Sequence, residues 1–423
     1  MTLTSSLQVL WLLAVYVTMP ACHGSYDDYR AWLSKAAYNV TIQRDFRKHL
    51  RLFNGDLQDE GHFDSGAFPC TTYPASRRTP VSVHRLRPGD IKVVAAMGDS
   101  ITAGNGITAK TIMDMRRQDR GLSWSIGGDR DYAYQPTIPN ILKKYNPFLR
   151  GFAVKSGSVW SREAHLDVAE PGAESASLTK QAELLIKRMK NELFVDFRND
   201  WKLITIFIGG DDLCSYCKDL EHYNASNYVQ NVQQALDILH SNIPRAFVNL
   251  VSVNHVDVMQ GMNLGSICSI LHQLFCSCGS YPRNEQDARL LHQAADDYND
   301  GLEKLVASGR YDDRDDFTVV VQPFFRYATL PMKGNKPDLS YFSPDCFHFS
   351  QRGQAVAARA LWNNMIQPVG TKRTTIVPGE TLQCPSELNP YFFTRKNSAN
   401  YQSVNDQRPD AGGYTFTLRI SIG

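Results

Sequence analysis

Neither sign of charge dominates this 423-residue chain, in which 45 basic side chains face 43 acidic ones for a formal charge of +2. That balance removes the electrostatic case for nucleic acid or an anionic membrane surface as partner. Long apolar runs are scarce as well. One lies at the start, from Leu7 to Val17, and no later stretch approaches the ~18 apolar residues that a membrane-spanning helix needs. The last residues, Leu418 to Gly423, are too short a tail for a lipid-anchor signal. Internal repeats and long low-complexity tracts are missing too, which argues against a solenoid and against a largely disordered chain.

What is present points to a secreted globular protein. The apolar run 7–17 is followed by small residues at Ala21 and Gly24, the layout of a signal peptide over residues 1–24. Nine cysteines occur, and removal of Cys22 with the leader leaves eight, an even number suited to disulfides in an oxidising compartment. Cys214-x-x-Cys217 and the Cys268, Cys276, Cys278 cluster have some of the look of a zinc site, but the C-x-x-C pair lacks a second pair at ribbon spacing. Disulfides are therefore the expectation, with connectivity open, and no metal or cofactor is called for. Asn39-Val40-Thr41 and Asn224-Ala225-Ser226 are glycosylation acceptors in a secreted chain. No obligate protein partner is evident.

Hydrophobic residues make up 43% of the chain and charged ones 21%, enough to bury a sizeable core. From residue 91 onward, short β-branched runs alternate with helical periods. The runs are 91–97, a weaker 151–154, 203–208, 246–253 and 317–321. Continuous apolar character over so few residues is the mark of strands buried on both faces. Between them, apolar residues recur at helical spacing over 178–194, 229–239, 286–306 and 353–365. Strand and helix in alternation mean parallel pairing with right-handed crossovers. The expected fold is thus a three-layer α/β/α sandwich on a mainly parallel, five-stranded, flavodoxin-like sheet, over residues 91–368. Residues 25–90 and 369–423 are rich in proline and fit the rhythm poorly. They read as extensions laid on that core, the second partly disordered and tied back by Cys384.

Open parallel sheets bind ligands at the carboxyl ends of their strands. There the sequence places Gly98-Asp99-Ser100, then Gly209-Gly210-Asp211-Asp212, then Asp345-Cys346-Phe347-His348. A serine hydroxyl becomes a nucleophile when a base takes its proton, and a carboxylate must hold that base in the right tautomer. Asp345 and His348, three apart, can offer both side chains to one site, with Ser350 free to cap the next helix. Spacing alone is weak, since Asp-x-x-His recurs at 59/62, 219/222 and 237/240. The 237/240 pair sits in a helical pattern and reads as a solvated face.

The segment Val94 to Gly104 resembles block I of the GDSL, or SGNH, hydrolases. Segments 121–129, 139–147, 168–173, 206–214 and 345–353 resemble, in order, the phospholipase B branch of that superfamily. The resemblance implies that Ser100 attacks an acyl ester of a phospholipid or lysophospholipid at a lipid interface, with His348 as base and Asp345 orienting it. It also implies an oxyanion hole from the backbone N–H groups of Ser100 and Gly172 and a side-chain amide. Asp99 shapes the turn. The amide is where this chain departs, because Asp211 replaces the family's asparagine. An ionised aspartate would oppose the developing oxyanion, and losing one donor typically costs roughly 3 to 4 kcal/mol. Either burial beside Asp212 keeps Asp211 protonated, or the residue turns outward. A weakened or acid-shifted hydrolase follows, with a catalytically impaired lipid-binding homologue and a carbohydrate or small-ester deacetylase as alternatives.

Overall fold

Four of the five apolar runs are strands, and they pair in sequence order. The computed structural model describes residues 26–54, 66–262, 265–399 and 401. The expected leader and the polar tail beyond 401 lie outside the described residues. β1 (Ile91–Gly98), β2 (Trp201–Phe207), β3 (Ala246–Val251) and β4 (Phe317–Gln322) form one parallel sheet. All seven residues of β2 and all six of β3 are buried, as strands covered on both faces must be. Alternate residues feed two separate cores. Val93, Ala95 and Met97 join one face with Ile204, Ile206 and Val248, whereas Val94 and Ala96 join the other with Leu203, Phe247 and Val320. Each of the larger side chains among these, fully buried, contributes roughly 1.5–3 kcal/mol.

The expected fifth strand at 151–154 is not formed. Its place on the outer edge of β1 is filled by two single bridges, Val93 with Arg150 and Ala96 with Asp167. Ala153 turns away to pair with Gly127. The cause is local: Gly151, Lys155 and His165 all have positive φ, at 85°, 55° and 46°, which interrupts an extended chain. The buried ion pair of Arg120 with Asp167, at 2.7 Å, then fixes the segment leading to Gly172.

Helices cover both faces. In chain order they are α1 (Tyr26–Ala36), α2 (Val40–Asn54), α3 (Ser100–Ala103), α4 (Ile138–Leu142), α5 (Leu178–Asn191), α6 (Gly210–Ser215), α7 (Ala225–Asn242), α8 (Gly265–Phe275), α9 (Ser277–Ser280), α10 (Glu285–Ala307), α11 (Gln351–Met365) and α12 (Arg395–Ser398). The first core packs under α1, α5, α7 and α10, the second under α4 and α11. The α/β/α sandwich is therefore as expected, on a four-stranded sheet.

Residues 26–54 do more than wrap the core. Tyr29, Trp32, Leu33 and Ala36 of α1 are buried within it, at helical spacing (i, i+3, i+4, i+7) that marks an inward stripe. All eight cysteines at positions 70 and beyond form disulfides: Cys70–Cys384, Cys214–Cys276, Cys217–Cys278 and Cys268–Cys346. Cys384 does tie the C-terminal segment to the body, through the equally peripheral Cys70. No helix among the described residues is long and apolar enough to cross a membrane.

Candidate active site

β1 ends at Gly98, whose position admits no side chain because a Cβ there would stand 2.3 Å from the Phe207 carbonyl oxygen. The Gln181 amide, from α5, clamps both Gly98 backbone groups at 2.8 and 2.9 Å. Asp99 then caps α3, its Oδ1 accepting the Ile101 N–H at 2.9 Å. A helix that opens immediately after such a turn sets Ser100 in its first position, at the strand's carboxyl end. Asp99 thus shapes the turn, as the sequence suggested.

The structure brings Ser100, His348 and Asp345 together. Ser100 Oγ lies 2.8 Å from His348 Nε2, and His348 Nδ1 lies 2.6 Å from Asp345 Oδ2. All three residues are buried. Asp345 Oδ1 also accepts the backbone N–H groups of Phe347 and His348, each at 3.0 Å. Burial alone would raise the Asp345 carboxyl, but the imidazole and these amides outweigh it and hold it below the usual carboxylate range. The other Asp-x-x-His pair in a helix goes elsewhere: Asp237 takes Arg310, and His240 takes Asp313. Ser350 caps α11 through its hydroxyl, which accepts the Gly353 N–H.

Several supports were not foreseen from sequence. The Tyr29 hydroxyl donates to Asp345 Oδ2 at 3.1 Å, so α1 reaches the site directly. The residues flanking Asp345 are braced by two buried imidazoles, His49 against the Pro344 carbonyl at 2.7 Å and His272 against the Cys346 carbonyl at 3.1 Å. Burial lowers His272 to about 4, so it stays neutral and donates. The Cys268–Cys346 bridge holds the same turn. Only the helical spacing of the α1 stripe could have signalled Tyr29; the two histidines carry no local motif.

Asp211 and Gly172 are placed differently from each other. Asp211, in the first turn of α6, lines a cleft together with Ser100, Asp99 and Gly210. Although part of its surface stays accessible through the cleft, protein surrounds it. Desolvation, then the charges of Asp99, Asp212 and Glu174, push its carboxyl well above the usual range. Burial likewise lifts Asp99 to about 7 and Asp212 to about 6, the latter against two hydrogen bonds from Ser175 at 2.6 and 2.9 Å. Gly172 has φ +78°, and a Cβ on it would meet the Tyr26 side chain at 2.5 Å. It packs under the start of α1 and is not among the residues lining the cleft. The rest of the cleft is mostly apolar, with Ile101, Phe207, Val256, Met259, Met262, Leu330, Phe342, Phe347 and Phe349, plus Asn254 as one further polar residue.

A parallel sheet sandwiched by helices, with a serine–histidine–aspartate relay at its strand ends, defines a class of α/β protein built for nucleophilic chemistry. The chain belongs to the GDSL-like lipase/acylhydrolase family, whose pattern matches residues 94–361. It is 43% identical over 352 residues to the human protein named phospholipase B1, membrane-associated, and 42% identical over 369 residues to the rat protein of that name. These matches cover 81% and 83% of this chain. The chain spans only about a quarter of the length of those relatives, 24% and 25% respectively. Superposition on the solved phospholipase A1 from Streptomyces albidoflavus is slight, with a TM-score of 0.27 and 14% identity over 64% of this chain and 98% of that one. The fold assignment rests on the strand order and the family match instead.

Proposed function

We propose that the protein is a serine ester hydrolase of the phospholipase B type, which releases acyl chains from glycerophospholipids or lysophospholipids. The observation that carries this is the continuous relay from Ser100 Oγ through His348 to Asp345, opening onto an apolar cleft. In this reading His348 takes the Ser100 proton as the oxygen attacks the ester carbonyl, and Asp345 stabilises the imidazolium that forms. His348 then protonates the leaving alcohol, and water repeats the sequence on the acyl-enzyme. The apolar lining receives the acyl chain, and its burial favours lipid over a carbohydrate ester.

Charge on the carbonyl oxygen is stabilised by the backbone N–H of Ser100 and, in its protonated form, by Asp211. Its depressed acidity makes that form accessible, as a neutral carboxylic acid can donate where a carboxylate cannot. Gly172 is proposed as the third donor. The Asp211 substitution also keeps alive the reading of a lipid-binding relative with weakened catalysis.

Secretion fits the four disulfides, which persist in oxidising compartments. Both glycosylation acceptors, Asn39 and Asn224, sit at helix starts with part of their surface exposed. The extensions read at 25–90 and 369–423 would then, through their described residues 26–54, 66–90 and 369–399, brace a hydrolase domain over 91–368, within a mature chain that begins after Gly24. The test is fatty-acid release from lysophosphatidylcholine micelles, with Ser100→Ala as the blank. Release by the parent and none by the variant supports the reading. Equal release by both, or turnover only of acetylated sugars, overturns it.

A further inference from the structure

We propose that His255, His292 and Asp296 form a binding site for one divalent zinc ion, on the outer side of the cleft wall. The loop after β3 supplies His255, and α10 supplies His292 and Asp296, four apart and so on one helix face. One ligand-type atom from each lies within 4.8 Å of the others. Two imidazoles and a carboxylate are a borderline-soft set, the kind that zinc takes as three protein ligands with water in the fourth position.

The hydrogen bonding is that of an oriented ligand set and not of a closed polar network. His292 Nδ1 lies 2.9 Å from Asp257 Oδ2, which fixes that N–H and leaves Nε2 as the free donor atom. His255 is 5% exposed, yet among the described residues neither ring nitrogen has a hydrogen bond of ordinary length and geometry. Its Nε2 stands 3.5 Å from Asp296 Oδ1, and its Nδ1 stands 4.0 Å from Asp257 Oδ1. Both of those carboxylate oxygens are buried and likewise lack a partner at ordinary hydrogen-bond geometry. Buried polar atoms left this way are costly, and a cation among them would satisfy the set. The two imidazole rings, 4.1 Å apart between centroids, would repel if both were protonated. A metal removes that conflict because it binds them neutral. Ligand atoms on a tetrahedral zinc, with bonds of ~2.1 Å, stand about 3.4 Å apart. Closing the set needs an inward shift of about 1 Å, which the more exposed His292 and Asp296 side chains can supply.

The other group of ligand-type side chains among the described residues, His49 with Cys268 and Cys346, has both sulfurs in a disulfide and offers no thiolate. Occupancy of the proposed site would act on the cleft. Asn254 and Val256, on either side of His255, both line it, so the ion would pin that wall to α10.

The test is isothermal titration of zinc chloride into tag-free, chelator-stripped full chain, with a parallel thermal melt. One ion per chain and a rise in melting temperature are expected. The double variant His292→Ala/Asp296→Asn should lose both, and Asp257→Asn should weaken binding by ~10–100-fold through loss of the outer carboxylate. The metal-free melting temperature of each variant checks folding independently, and activity plays no part in the readout. Absence of one-to-one binding in the parent, or undiminished binding in the folded double variant, would overturn the proposal.

Discussion

Asp211→Asn probes the position at which the sequence departs from the pattern it otherwise resembles. The parent carboxyl faces the cleft beside Ser100 and is held well above the usual carboxylate range by desolvation and by Asp99, Asp212 and Glu174. In the proposed mechanism the protonated carboxyl donates to the oxyanion, whereas the ionised form presents a negative charge where negative charge develops. One oxyanion donor is worth about 3–4 kcal/mol, or ~10²–10³ in rate. The substitution supplies a donor at every pH. Above the pH at which the parent carboxyl ionises, kcat on a p-nitrophenyl ester should therefore rise by ~10²–10³ over the parent. Near pH 5, where the parent acid is still protonated, the gain should shrink toward unity. Parent activity should fall as pH rises through the shared titration of the three aspartates, and that falling limb should vanish in the variant. Identical rates and profiles for the two proteins across pH 5–9 would refute the idea that this position limits turnover.

Much of the fold was legible because it rests on local pattern. Strands such as β2 are buried at every position and so read as unbroken apolar runs. α5, α7, α10 and α11 carry their stripes in sequence. The run 151–154 misled, because its backbone is set by positive-φ residues on either side and not by its own apolar character. Ser100, His348 and Asp345 were accessible since strand ends in a parallel sheet converge by topology. Tyr29 was not, as its link to Asp345 spans 316 positions and depends on how α1 docks. The histidine–aspartate cluster escaped for the same reason. Its members fall in a loop and a distant helix, with no spacing that resembles a metal motif.

Tyr29→Phe removes a hydrogen bond to a charged acceptor, worth about 1.5–3 kcal/mol. Steady-state kinetics should show kcat down roughly tenfold with KM unchanged, and an unchanged kcat would exclude a positioning role. Asp99 and Asp212 have folded-state pKa values raised to about 7 and about 6. Their contribution to stability is full at low pH and is lost as pH rises through those values. Asp99→Asn, which keeps the helix cap, should therefore gain stability relative to the parent between pH 5 and 8, by about 1 kcal/mol or more in urea denaturation. A gap that shrinks with rising pH would contradict this. Replacing Cys70 and Cys384 by serine opens a bridge between residues 314 apart and should cost about 2–5 kcal/mol. The melting temperature should drop while activity at 25 °C persists, because neither cysteine lines the cleft at Ser100; lost activity with an unchanged melt would argue otherwise.

The central claim is that Ser100 is a nucleophile activated by His348. A fluorophosphonate probe, which reacts only with activated serines, tests it without any assumption about the substrate. Peptide mass spectrometry should find the adduct on Ser100 in the parent, none in Ser100→Ala and greatly reduced labelling in His348→Ala. Absence of labelling in a folded parent, or labelling that survives Ser100→Ala, would contradict the account.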